Sequence, residues 1–222
     1  MGRTRELKNK RAVFARLLAG LIQSDKQLIY VDETTFHSWM LRAKSWSLKS
    51  KPVLHPRVDK RQALTVYGAI GSCLIEPLFM IGKSTNKEKY QKFIAKLADK
   101  VKPEYRGRNK PIILFDGHKS HLNPVSMASM KEFLVPLQIP GYSCEFNSIE
   151  KVWGLAKTIY NKRILVRPDF KDRKELKARV LASLDSISSE TMGNLIVANR
   201  AYIQSVLQRT VDEREAAELR QR

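Results

Sequence analysis

The chain of 222 residues has only two cysteines, Cys73 and Cys144, and they lie far apart. That excludes a disulfide framework and suits two free thiols in a reducing compartment. It also argues against zinc, because Cys144, His118 and His121 lack the tight paired spacing of a structural site. Long apolar runs are missing as well. None approaches the roughly 18 residues of a membrane span, and the charged start Met1–Arg11 is not followed by the apolar segment of a secretory signal. We therefore expect neither a membrane partner nor secretion. Acidic residues are scarce: 22 Asp and Glu face 41 Lys and Arg, for a formal net charge of +19 and a pI near 10.1. Such an imbalance calls for a polyanionic partner, with a solvated basic surface as the bland alternative. A nucleic acid is the partner expected, in the nucleus of a eukaryote or the cytoplasm or nucleoid of a bacterium.

Apolar residues make up 43% of the chain, enough for one large core. A basic helix is expected over 3–24, its stripe formed by Ala12, Phe14, Leu17, Leu18 and Leu21. Strands are expected near 27–33, 62–70, 73–81, 111–116 and 133–138. Between the first two, residues 36–60 read as irregular or as a hairpin excursion. Helices are expected near 86–101, 124–132, 148–162, 171–185 and 188–209, with 212–222 as frayed helix. Thr85 and Glu88 suit a capping box on the first of these, and Tyr90, Phe93, Ile94, Leu97 and Val101 its buried face. The division that follows is a basic helical lead-in (1–24), an α/β domain (25–165) and a helical extension (166–222). There is no internal repeat.

Two apolar runs each end in an acid. Leu28-Ile29-Tyr30-Val31 leads into Asp32 and Glu33; Ile112-Ile113-Leu114-Phe115 leads into Asp116. Buried strands read as continuous apolar runs, so a carboxylate at such an end stands on a rigid support. A third acid, Glu150, opens a helix in the stretch Pro140 to Trp153. Three fixed carboxylates suit hard divalent cations, which take oxygen ligands. Each acid also has a plain reading. Asp32 ends a strand, Asp116-Gly117 is a turn dipeptide, and Glu150 completes a capping box if Asn147 is the N-cap. Glu33 and Glu145 are the rival acids, ranked below Asp32 and Glu150.

Three motifs carry a family resemblance: Asp32-Glu33-Thr34-Thr35-Phe36, Asp116-Gly117-His118-Lys119-Ser120-His121, and Pro140 to Trp153. Together they resemble the catalytic domain of a mariner-superfamily DDE transposase, a relative of retroviral integrases. The third is the most specific and is similar to the family's P-x-Y-S-P-x-L-N-P-I-E-x-x-W string. The resemblance covers roughly residues 10–165. The sequence departs from the family where its usual Asn is Gly117, where its flanking prolines are Cys144 and Ser148, and where a leucine is Phe146.

The resemblance implies an RNase H-like α/β fold: a mixed five-stranded sheet flanked by helices, here with extra C-terminal helices. It implies Asp32, Asp116 and Glu150 as catalytic residues and as ligands for two Mg²⁺ or Mn²⁺ ions. It also implies cleavage and strand transfer at transposon ends, target DNA as second substrate, and a homodimer in the synaptic complex. The DNA-contacting candidates are Arg42, Lys44, Trp46, Lys49 and Lys51 in the basic excursion, His118, Lys119 and His121 after the second acid (the two histidines also as support for the metal site), and Asn147 before the third. Trp153, at helical spacing from Glu150, reads as core. Two other readings stand beside this one: a truncated or domesticated DNA-binding protein that does not cut, and an RNase H-like nuclease or resolvase.

Overall fold

The computed structural model describes residues 2–38, 49–51, 62–82, 87–119, 121–166 and 172–219. Its centre is a five-stranded sheet. Strand β1 (Leu28–His37) pairs antiparallel with β2 (Ala63–Ile70), which pairs antiparallel with β3 (Leu78–Gly82). On the other side β1 runs parallel to β4 (Ile112–Phe115), and β4 parallel to β5 (Val135–Gln138), so the order is β3-β2-β1-β4-β5. The parallel crossovers are made by α2 (Lys87–Lys100), between β3 and β4, and α3 (Pro124–Phe133), between β4 and β5. The remaining helices are α1 (Gly2–Gln23), α4 (Ile149–Val166), α5 (Arg173–Asp185) and α6 (Ser189–Leu219).

The sheet separates two apolar clusters, and strand alternation decides which residue joins which. Leu28 and Tyr30 of β1 face the cluster built with α1, α4, α5 and α6; Ile29 and Val31 face the one built with α2 and α3. Tyr90, Phe93, Ile94 and Leu97 of α2 are buried in the second cluster, together with Val101 just beyond the helix, as their spacing predicts. The Thr85 half of the expected capping box lies outside the described residues, as do Arg42, Lys44 and Trp46.

Several expectations need correction. The segment 73–77 does not pair with β2. Leu74 bridges Val101, the Ile75 N–H donates to Lys100 O at 2.8 Å, and the Lys102 N–H donates to Cys73 O at 3.0 Å. Pro77, which lacks an N–H, precedes β3. The buried face of α1 is rotated from the expected stripe. Phe14, Ala15, Leu18 and Ala19 are buried, while Leu17 is 48% exposed. Two alanines on that face let α1 lie close to its neighbours. The helix ends in a Schellman-type turn, with the Lys26 N–H donating to Leu21 O at 2.9 Å and Asp25 at φ +49°. The last helix runs unbroken from Ser189 to Leu219, through most of the segment expected as frayed helix.

Candidate active site

Asp32 lies on β1 on the face that α4 covers, and α4 carries Glu150 in its first turn. The close approach of helix to sheet has a specific cause. Gly68 on β2 is the register partner of Asp32. A Cβ at Gly68 would stand 2.4 Å from Trp153 Cη2 and 2.9 Å from Ile149 Cδ1. Trp153 follows Glu150 by three residues, on the same side of the helix. The missing side chain at Gly68 therefore lets the Trp153 ring settle beside Asp32 and brings Glu150 down with it. Trp153 is buried, as expected, and packs on Phe79 at 5.7 Å between ring centroids.

Asp116 follows the end of β4, beside the segment that leads into α4. Asp32, Asp116 and Glu150 together line a cleft of about 320 Å³ whose other walls are Gly117, Ile139–Cys144 and Asn147. Gly117 leaves room for Gln138, whose Nε2 lies 2.8 Å from where a Cβ would be. Tyr142 stands at the rim, 90% exposed, with φ at +55°.

The capping box that would give Glu150 a purely structural role is not formed. Asn147 is buried, and its side-chain amide donates to Val31 O of β1 at 3.0 Å, tying the approach to α4 to the centre of the sheet. Glu150 is the second residue of the helix, its N–H donating to Asn147 O at 3.1 Å. Among the described residues the buried Asn147 Oδ1 has no hydrogen-bond partner.

Burial, then the charge of nearby Glu150, pushes the Asp32 carboxyl up to about 7. Burial also raises Glu150, against the pull of Lys157, and Glu150 shares a hydrogen bond with Asp32. Asp116 moves the other way: its hydrogen bond to His121 holds it below the ordinary carboxylate range. Two crowded acids that favour a shared proton form a site that a cation would relieve. The donor set suits a hard divalent ion: three carboxylates, and an amide oxygen with its hydrogen-bonding capacity unused. Among the described residues no three such side chains are drawn close enough to hold an ion as they stand. The carboxylates face one cleft without forming a closed cage.

The remaining candidates separate. His118, Lys119, Lys49 and Lys51 are exposed. His121 is not: it is fully buried, and this corrects the expectation that it contacts phosphate. Its Nδ1 lies 2.7 Å from Asp116 Oδ1 and its Nε2 2.8 Å from Glu33 Oε2. Burial alone would lower the His121 pKa, but the hydrogen bonds and charges of the two acids outweigh it and hold it near 9. Glu33, ranked as a spare acid, points to the face opposite Asp32. The strand period contained that signal, since consecutive residues alternate faces. Glu145, the rival third acid, is engaged by Arg11 of α1 in an ion pair that no sequence pattern revealed. Above that pair Phe14 packs on Phe146 at 5.5 Å, so α1 braces the turn leading to Glu150.

The fold matches solved structures of the Mos1 mariner transposase. With its paired-end complex containing Mn the TM-score is 0.66 at 15% identity, over 91% of this chain and 62% of that one. With the paired-end complex carrying the left transposon end the values are 0.68 and 13%, over 92% and 62%. With the isolated Mos1 catalytic domain they are 0.62 and 15%, over 92% and 93%. The chain thus spans about three-fifths of the longer Mos1 chains and nearly all of the catalytic domain, and its fold is the RNase H-like one of that domain. Among curated proteins none matches. A sequence model described as DDE superfamily endonuclease matches residues 27–177, more than half of the chain and all three carboxylates. The chain belongs to the DDE superfamily of endonucleases.

Proposed function

We propose that this chain cuts and joins DNA strands at transposon ends in a divalent-metal-dependent reaction carried by Asp32, Asp116 and Glu150. The observation behind this reading is the convergence of those carboxylates, from β1, the end of β4 and α4, on one cleft of a DDE-family domain. The Mos1 catalytic domain has been described with Mn and with Mg. Here Asp32, Asp116 and Glu150 would hold two Mg²⁺ or Mn²⁺ ions, with Asn147 Oδ1 as a further oxygen at the site. When bound, such ions activate a water or a 3′-hydroxyl and stabilise the leaving oxygen.

The chain's own residues supply the positioning. The sheet fixes Asp32 and the end of β4 fixes Asp116, while the Trp153–Gly68 contact sets the depth of Glu150. The net charge of +19 supplies attraction to the DNA backbone. Lys49, Lys51, His118 and Lys119, exposed in the structure, are proposed to contact phosphate, as are Arg42 and Lys44, with Trp46 stacking on a splayed base. The Mos1 paired-end complex with the left transposon end supports transposon ends as the substrate; target DNA as second substrate and two copies of the chain in the complex are part of the same proposal.

The test is nicking of supercoiled plasmid in Mn²⁺, Mg²⁺ or EDTA, with wild type beside Asp32→Asn, Asp116→Asn and Glu150→Gln. We expect metal-dependent nicking by wild type alone and retained DNA binding by all four proteins. Nicking by all three variants would defeat the proposal. A folded wild type that binds DNA and never cuts would favour a DNA-binding role, consistent with Gly117 standing where the family carries Asn. Cutting without joining of a pre-cleaved end would favour a nuclease or resolvase.

A further inference from the structure

We propose that Glu33 and His121 form a positioning pair that sets the Asp116 carboxylate from the opposite face of the sheet. The proposal rests on the catalytic reading of Asp116 and deepens it.

Asp32 and Glu33 are consecutive on β1, so one carboxylate goes to each face. Asp32 enters the cleft. Glu33 enters the side that holds Tyr67 and Tyr90, where its side chain is only 11% exposed. There it meets His121, whose ring is fully buried and clamped by aromatic neighbours. Tyr90 lies 4.2 Å away between centroids, and Phe115 packs edge-on at 6.1 Å. The ring has no freedom to choose another partner. One nitrogen is taken by Glu33, at 2.8 and 2.9 Å from its two oxygens, and the other by Asp116, at 2.7 Å from its Oδ1 and 3.3 Å from its backbone O.

The loop after β4 is built to deliver this ring. The His118 N–H donates to Asp116 Oδ1 at 3.0 Å, forming an Asx-type turn, and the His121 N–H donates to His118 O at 3.0 Å. Both side-chain contacts to Asp116 use the same oxygen, Oδ1. The carboxylate is thereby held at one oxygen, in a residue that also lines the cleft. Asp32 and Glu150 hydrogen-bond to each other, and Asp32 also accepts from the Glu33 backbone, but among the described residues only Asp116 of the three is held by a buried imidazole.

A structural ion pair is the competing explanation, and the energetics argue against it. Burying an imidazole between two carboxylates carries a desolvation cost that apolar residues of similar volume would avoid. A ligand held by a buried histidine–carboxylate partner has a use for such a group, because orientation governs metal affinity.

The test uses two variants. Glu33→Gln keeps a hydrogen-bond acceptor but removes the charge. The double variant Glu33→Leu/His121→Phe fills both sites with apolar volume and is expected to fold even if the first does not. Thermal melts by circular dichroism check folding. Mn²⁺ binding is then read from the electron paramagnetic resonance signal of the free ion, without any turnover. We expect Mn²⁺ affinity in the double variant to fall by about 10–100-fold. The Mn²⁺ concentration for half-maximal nicking should rise by the same factor, while DNA affinity in gel shift stays unchanged. Folded variants that bind Mn²⁺ as tightly as wild type would overturn the pair while leaving the catalytic reading intact. If wild type binds Mn²⁺ no better than Asp116→Asn does, the catalytic reading fails and this proposal falls with it.

Discussion

Asp32→Asn should make the metal-free protein more stable at neutral pH, although it removes a proposed catalytic residue. Asp32 has a carboxyl raised from 3.8 to about 7, first by burial and then by the charge of Glu150. The folded chain therefore keeps a proton that the unfolded chain has already lost between those two values. In that window stability falls as pH rises, and the full penalty is present above about pH 7. At ~1.4 kcal/mol per pH unit, the shift corresponds to on the order of 4 kcal/mol. Part of that is shared with Glu150, so the variant should gain about 2–4 kcal/mol at pH 8. For a chain of this size that is a rise in Tm of roughly 5–15 °C. Below about pH 3 the two proteins should converge, since the carboxyl is then neutral in both folded and unfolded wild type. The assay is a series of thermal melts in EDTA from about pH 3 to 8. Mg²⁺ should then raise the wild-type Tm more than that of the variant, because only the former has the crowded charge to neutralise. A variant that keeps the wild-type pH slope, or melts lower at pH 8, would refute the claim that Asp32 is held in an unfavourable charged state.

Three further outcomes follow from the packing and charge. Gly68→Ala places a methyl against Trp153 and Ile149 and should cost about 1–3 kcal/mol; Trp153→Phe in the same chain should recover part of it, and chemical denaturation of the single and double variants measures the coupling. Phe14→Ala, removing a buried ring that packs on Phe146, should cost about 3 kcal/mol and reduce plasmid nicking, whereas an independent lead-in helix would melt apart with nicking unchanged. If Lys49 and Lys51 contact phosphate, each change to Ala should reduce the slope of log affinity against log salt by about 1, with equal effect on related and unrelated DNA; an unchanged slope in filter binding would remove both from the interface.

Most of the strands were legible because they rest on a local signal. A strand buried on both faces must be apolar along its length, so the runs 28–31 and 112–115 announce β1 and β4; Asp116 follows the end of β4, whereas Asp32 lies in mid-strand because β1 continues to His37. The errors arose where a distant partner decides the matter. Residues 73–77 have strand-forming side chains, yet their backbone is taken by Lys100 and Lys102, which no local pattern records. The face of α1 was misread because Ala15 and Ala19 carry little hydrophobic weight, although small residues are what a closely packed helix face requires. The alternative reading of Asn147 as a helix cap fails for the same reason, since Val31 O of the neighbouring strand offers its amide a buried acceptor.

The acidic dipeptide Asp32-Glu33 shows most clearly what a sequence holds and what only a fold supplies. Read as a string, its second acid looks redundant, and Glu33 was ranked as a spare for Asp32. Read with the two-residue period of a strand, the same string distributes one carboxylate to each face. The use of the second then depends on His121, 88 positions away, reaching β1 by way of the turn after β4. Gly68 carries the complementary lesson: beside the first acid what matters is an absent side chain, because only there can Trp153 lower Glu150 toward Asp32. On one face of β1 a site is made by removing atoms, and on the other by spending a buried charge. Neighbouring positions on one strand thus bring together acids that would otherwise stay apart.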